Sequence, residues 1–223
     1  MKQKEKLMST RKMIVSVLVL LLVTTLAGVL HWNGLPDPMA SHWGINDQVN
    51  GTMPKVWGVF LVPLISLGLF LLFLLIPAID PLKANIAKFR DAFNLFIAFM
   101  TLFLMYVQGL TLAWNLGFTH FKMSTSLMPA LGLLFILVGY MIRKAKRNFF
   151  IGIRTPWTLS SDKVWDETHR VGSWLFIGSG VLAILGSFFG GMTAFWLLFV
   201  PLIGSAIFLV IYSYVLYQRE TKP

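Results

Sequence analysis

Six long apolar stretches, free of Asp, Glu, Lys and Arg, constrain this chain more than any other feature. They run roughly over Met13–Trp32, Val56–Ile79, Ala92–Leu116, Ser126–Ile142, Ser173–Phe189 and Met192–Tyr217. A helix needs about 17–25 apolar residues to cross a bilayer, and each stretch reaches that length. Inside hydrocarbon every backbone polar group must be paired within the segment, which selects helices. Only 13% of residues are charged, against about a quarter in a soluble domain, so lipid is the expected solvent. The predicted fold class is all-α, a polytopic membrane protein with six transmembrane helices. Gly190-Gly191 joins the last two stretches and predicts a tight turn with an antiparallel helix hairpin.

The charges then set orientation. The net charge of +10 would point to nucleic acid in a soluble protein. Here 17 of the 19 Lys and Arg residues lie in the two tails and in the second-to-third and fourth-to-fifth connections, leaving Lys55 and Lys122 alone on the other side. The positive-inside rule places both termini in the cytoplasm, and a nucleic-acid partner is not expected. Trp32, Trp57, Trp114, Tyr140, Trp174 and Tyr217 lie near stretch ends, where amphipathic rings settle. The basic N-terminus precedes an apolar run without a small-x-small cleavage site, and reads as an uncleaved first span. The expected organisation is a cytoplasmic tail (1–12), a four-span region (13–142) with an extracytoplasmic loop (33–55), an inner loop with spans five and six (143–217), and a short tail (218–223).

Two loops hold nearly all the unusual chemistry. The outer one contains Leu35-Pro36-Asp37-Pro38, Ser41-His42-Trp43-Gly44 and Asn50-Gly51. Its prolines restrict the backbone and favour an ordered, self-bonded cap over a linker. Asp37, His42 and Asp47 are metal-ligand types, but their spacing matches no ligand pattern, and no metal is expected. A rigid, aromatic-bearing outer loop suits partner recognition through Pro36, Asp37, His42, Trp43 and Gly51.

The inner loop opens on Arg143, Lys144, Lys146 and Arg147, a topology signal and a contact for anionic membrane lipid. Asn148–Ile153 is too short to span and is expected in the interface or under the bundle. Thr155-Pro156 should break a helix. Ser160 or Ser161 should cap the next one, with Asp162 in its first turn. On that helix Trp165 and His169 share a face, and Asp166 is spaced to pair with Arg170. Arg154, among apolar neighbours, is expected to clamp a carboxylate of Asp162, Asp166 or Glu167.

No catalytic motif is present: HExxH, GxSxG and a phosphate loop are all absent. His169 with Glu167 and Asp166 has acid–base character but lacks a nucleophile. With no Cys there is no thiolate chemistry, and no cofactor is expected. Gln108 and Asn115 are the most polar intramembrane residues and should hydrogen-bond between helices. Val62-Pro63-Leu64-Ile65 recurs as Val200-Pro201-Leu202-Ile203. Kinks there could open a cavity, although coincidence in so apolar an alphabet is the simpler reading.

These residues together resemble the SdpI family of bacterial membrane proteins. The inner motif carries the likeness: Asn148, Ile151-Gly152, Arg154-Thr155-Pro156-Trp157-Thr158-Leu159, Trp165 and His169-Arg170. The outer loop, with Lys55, resembles a domain of unassigned function that often precedes that motif; Asn46-Asp47 stands where related loops tend to have glycine. The resemblance implies a six-span, non-enzymatic immunity protein that protects its cell from a secreted peptide toxin. It also implies signalling by holding a cytoplasmic transcriptional repressor at the membrane. The competing readings are a small-solute or lipid transporter, and an intramembrane enzyme built on His169. The transporter is weakened by the absence of charged residues within the spans.

Overall fold

The computed structural model describes residues 7–222. Its six long helices are α1 (Thr10–Leu30), α2 (Lys55–Ile79), α4 (Arg90–Asn115), α5 (Met123–Lys144), α7 (Asp162–Gly186) and α8 (Gly191–Thr221). Two short helices, α3 (Lys83–Ala87) and α6 (Pro156–Ser160), lie between them. Each long helix is apolar enough to span, and the chain is a multi-pass membrane protein.

Helix starts follow local chemistry. Ser9 caps α1, accepting from the Lys12 N–H. Ser161, not Ser160, caps α7 by accepting from Val164 N–H, and Asp162 sits in the first turn against the positive helix end. Gly190 (φ 67°) and Gly191 (φ 49°) make the turn into α8 in the left-handed region that glycine enters without a Cβ penalty. Thr155-Pro156 departs from expectation. Thr155 caps the new helix α6 and proline occupies its first turn, where a missing N–H costs nothing.

α5 and α7 form the closest helix pair. A Cβ on Gly132 would meet the Gly180 carbonyl at 2.5 Å, and one on Gly139 would meet the Ser173 carbonyl at 2.7 Å. Small residues one heptad apart let the two backbones approach, the usual source of helix association where lipid is as apolar as the side chains. α7 also packs on α8, and α4 packs on α1 and α2. Leu22, Leu71, Val200 and Ile207 stay exposed, as lipid-facing residues should. Pro63 and Pro201 fall in α2 and α8, whose main neighbours differ, so the repeated tetrapeptides do not frame a shared space.

At one end of the bundle the outer loop folds into an antiparallel hairpin, β1 (Met39–Trp43) and β2 (Val49–Met53), with Ala40 opposite Thr52 and His42 opposite Gly51. The sheet is an addition to the all-α expectation. Met39, fully buried, and Leu35 plug it onto Val59 and Leu112. The larger core lies toward the opposite end, where Met13, Phe70, Ile86, Phe93, Met141 and Trp165 meet.

Candidate functional site

The inner-loop motif closes the end of the bundle opposite the hairpin. Asn148, fully buried, builds its first turn. Its Oδ1 accepts from Phe150 N–H (2.9 Å) and Ile151 N–H (2.7 Å), while Nδ2 donates to the carbonyls of Lys146 (2.8 Å) and Ile151 (2.9 Å). All four valences of the amide are used. Within Asn148–Ile153, Ile151 is buried in the main core while Phe149 and Phe150 are exposed, so one face of the segment packs on the bundle.

Gly152 follows at φ +118°, a conformation that L side chains rarely adopt. A Cβ there would intrude on His169 Nε2 and the Trp165 ring. Trp165 and His169 share a face of α7 as their spacing predicts, stacking at 4.0 Å between centroids. Trp165 Nε1 donates to the Ala145 carbonyl at 3.0 Å. His169 accepts at Nε2 from Ile153 N–H (2.9 Å), and its Nδ1 lies 2.8 Å from the Trp165 carbonyl. A backbone donor on one nitrogen and a backbone acceptor on the other define a neutral imidazole protonated at Nδ1. Neither nitrogen is free, so the acid–base role considered for His169 has no support in the geometry.

Thr155 and Thr158 cap α6 reciprocally, and Thr155 Oγ1 lies 3.0 Å from Ser213 Oγ on α8. Trp157 packs on Tyr214 of α8 at 5.0 Å. Pro156 is exposed, and Leu159 joins the edge of the main core. The motif is thus a knot: nearly every polar group in it serves backbone, and it fastens the loop to α5, α7 and α8.

Two expected ion pairs are corrected. Asp166 pairs with Lys146 at 3.0 Å, while Arg170 turns to Glu167 at 2.7 Å. Arg147 pairs with Asp162 at 2.7 Å and also donates to the Leu159 carbonyl. All three carboxylates proposed for Arg154 are therefore taken. Arg154 is exposed and, among the described residues, donates only to the Phe149 carbonyl, at 2.8 Å. The clamp exists, but Lys146 and Arg147 form it. Chain direction explains the exchange: α6 turns the loop so that the start of α7 passes the end of α5, not Arg154.

Other contributors were not foreseen. Asp80, only 2% exposed at the end of α2, accepts from Leu82 N–H (2.6 Å) and Phe149 N–H (2.9 Å). Asn85 donates to the Arg147 carbonyl at 2.8 Å. A lone carboxylate directly after an apolar span and before Pro81 was the available signal for Asp80.

At the hairpin end three side chains fix the cap. Asp37 Oδ1 accepts from Lys55 N–H at the start of α2 (3.1 Å). Asn115 holds both main-chain groups of Ala40, at 2.8 and 2.9 Å, so it serves the hairpin where an interhelical bond was expected. Gln108 does bond between helices, to the Gly58 and Val59 carbonyls. Asp47 lies at φ 60°, the left-handed backbone that glycine would favour at this place, and accepts from Ser124 N–H and Oγ, both at 2.7 Å. Asp37, His42 and Asp47 thus serve separate partners, and no cluster of metal-ligating side chains occurs among the described residues. His42 is exposed and bonds Asn50, Pro36 is exposed, and Gly51 lets the His42 side chain cross with a Cβ gap of 3.0 Å. Trp43 packs edge-on against Trp114 at 5.7 Å.

Comparison with known proteins returns the family that the loops resemble. Residues 144–213 match the SdpI/YfhL protein family, and residues 19–67 match a domain of unknown function, DUF1648. The immunity protein SdpI of Bacillus subtilis (strain 168) is 25% identical over 210 residues, covering 94% of this chain and 97% of that protein. No solved structure matches the chain.

Proposed function

We propose that this chain, carrying the SdpI/YfhL family region in a six-span bacterial membrane fold, is an immunity protein that protects its cell from a secreted peptide toxin. The observation that carries the reading is the end-to-end likeness to an immunity protein, which spans both loops and every helix. In this reading both termini are cytoplasmic and the hairpin faces outward. The hairpin supports recognition: Asp37, Asn115 and Asp47 hold it rigidly while His42 and Pro36 remain exposed. A preordered surface binds without first losing conformational entropy. Trp43, packed on Trp114, would act by shaping that surface.

A signalling role toward a cytoplasmic repressor has a narrower support. Arg154 is exposed, has no carboxylate partner among the described residues, and lies next to Phe149, which is 47% exposed. An exposed arginine beside an aromatic ring is a common anchor for a protein partner.

The test is expression in a toxin-sensitive host, with survival scored under the cognate toxin. Protection should fall for His42→Ala and disappear when 36–54 is replaced by a short linker, with membrane insertion intact. Full protection by the loop-replaced protein would refute recognition at the hairpin. No protection by the wild-type chain against any secreted peptide toxin tested would refute the function itself.

A further inference from the structure

We propose that a cleft between α1, the α3–α4 junction and α5 binds the phosphate-bearing headgroup of an anionic membrane phospholipid. The cleft has a volume of about 590 Å³ and opens at the same end as the inner loop. Three cations line it: Lys88 and Arg90 flank the start of α4, and Lys144 comes from the last turn of α5. Asp91 is the one carboxylate among its described lining residues.

What separates these cations from their neighbours is pairing. Lys146, Arg147 and Arg170 each hold a carboxylate. Among the described residues, Lys88, Arg90 and Lys144 have neutral partners instead. Lys88 Nζ donates to Asn85 Oδ1 at 2.8 Å, the Arg90 guanidinium lies 5.7 Å from the Phe93 ring centre, and Lys144 Nζ lies 5.8 Å from that of Tyr140. Among the described residues none of the three is paired with a carboxylate.

Two further features favour a phosphate ester. α1 and α4 both begin at the cleft, at Thr10 and Arg90, so two positive helix ends add to the field. Asn94, 1% exposed, is among the lining residues; its Nδ2 donates to the Met8 carbonyl and Thr10 Oγ1, which ties the start of α1 to α4 beside the cleft. A phosphate-bearing headgroup complements this rim, with the phosphate on Lys88, Arg90 and Lys144. Leu7, Met8 and Phe89 supply an apolar wall for the glycerol backbone. Lys144 and Tyr140 lie at the end of a spanning helix, which is headgroup depth in either orientation of the protein.

The full chain in nanodiscs of phosphatidylcholine, with or without phosphatidylglycerol, provides the test. Retained lipid is read by native mass spectrometry, and lipid-dependent thermal stability is read in parallel. Wild type should retain phosphatidylglycerol. Lys88→Gln, Arg90→Gln and Lys144→Gln should each lower retention about ten-fold, as expected for losing one hydrogen bond between charged groups. Arg143→Gln removes the same charge at the same end, but this residue lies over Trp174 and outside the cleft, and should leave retention unchanged. Exposed Lys144 is the variant least able to disturb folding, and its lipid-free melting temperature should match wild type. Equal retention of phosphatidylcholine, or an equal loss with Arg143→Gln, overturns the cleft. Stabilisation by inorganic phosphate equal to that by phosphatidylglycerol overturns the lipid source.

Discussion

Asn148→Asp replaces an amide by a carboxyl of almost the same shape, so it tests the knot without opening a cavity. The Nδ2 group donates to two carbonyls, of Lys146 and Ile151, and the residue is fully buried. The substitution removes both donors and leaves a carboxylate oxygen facing two carbonyl oxygens. Each buried acceptor left unpaired costs about 1–3 kcal/mol, so the total should reach about 3–5 kcal/mol. For a chain of this length about 1 kcal/mol moves the melting temperature by about 2–4 °C, giving a fall on the order of 10 °C. The new carboxyl is disfavoured as an anion, which raises its folded-state pKa above the unfolded value. Protonation in acid removes the charge and restores one donor, so the deficit should shrink as pH falls and grow as pH rises. Thermal unfolding in detergent, followed by intrinsic tryptophan fluorescence at several pH values, measures both. Tryptic cleavage at Lys163 should accelerate in parallel. A melting temperature within about 2 °C of wild type at all pH values would refute the view that this amide organises the loop.

The remaining predictions concern the other fixed points. Gly152→Ala should destabilise by at least about 2 kcal/mol through left-handed strain and displacement of His169, seen as a lower melting temperature. Arg147→Ala should speed proteolysis between Leu159 and Lys163, whereas Arg154→Ala should leave stability within about 0.5 kcal/mol of wild type, as for an exposed residue; the reverse order would restore the Arg154 clamp. Asp47→Ala should cost about 1–2 kcal/mol by removing the acceptor for Ser124 N–H at the start of α5 and by placing at φ 60° a residue that tolerates it less well than Asp, measured by hydrogen exchange at Met123–Ser126. The native chain has no Cys, so single cysteines report topology directly. Ser41→Cys should react with an impermeant thiol reagent in intact cells, and Ser160→Cys should react only after lysis.

Sequence by itself determined the six spans, because crossing a bilayer demands length and uniform apolarity, and both are local properties. It determined the α7 start at the serine cap, the Gly190-Gly191 turn and the Trp165–His169 face for the same reason: each depends on residues within one or two turns. It also marked the two loops that carry the family likeness. Tertiary structure alone decided the partners. Asn115 meets Ala40 across 75 positions, and Asp80 meets Phe149 across 69. Thr155 meets Ser213 across 58, and no periodicity encodes such pairings. The hairpin was legible only as turn-forming residues, since its strands are short and are stabilised chiefly by Met39 and Leu35 buried against helices. Arg154 shows the limit most sharply. Charge and proximity in sequence nominated three carboxylates for it, but the direction of the chain after α6 delivered Asp166 to Lys146 and Asp162 to Arg147, while Glu167 pairs with Arg170 one turn along α7.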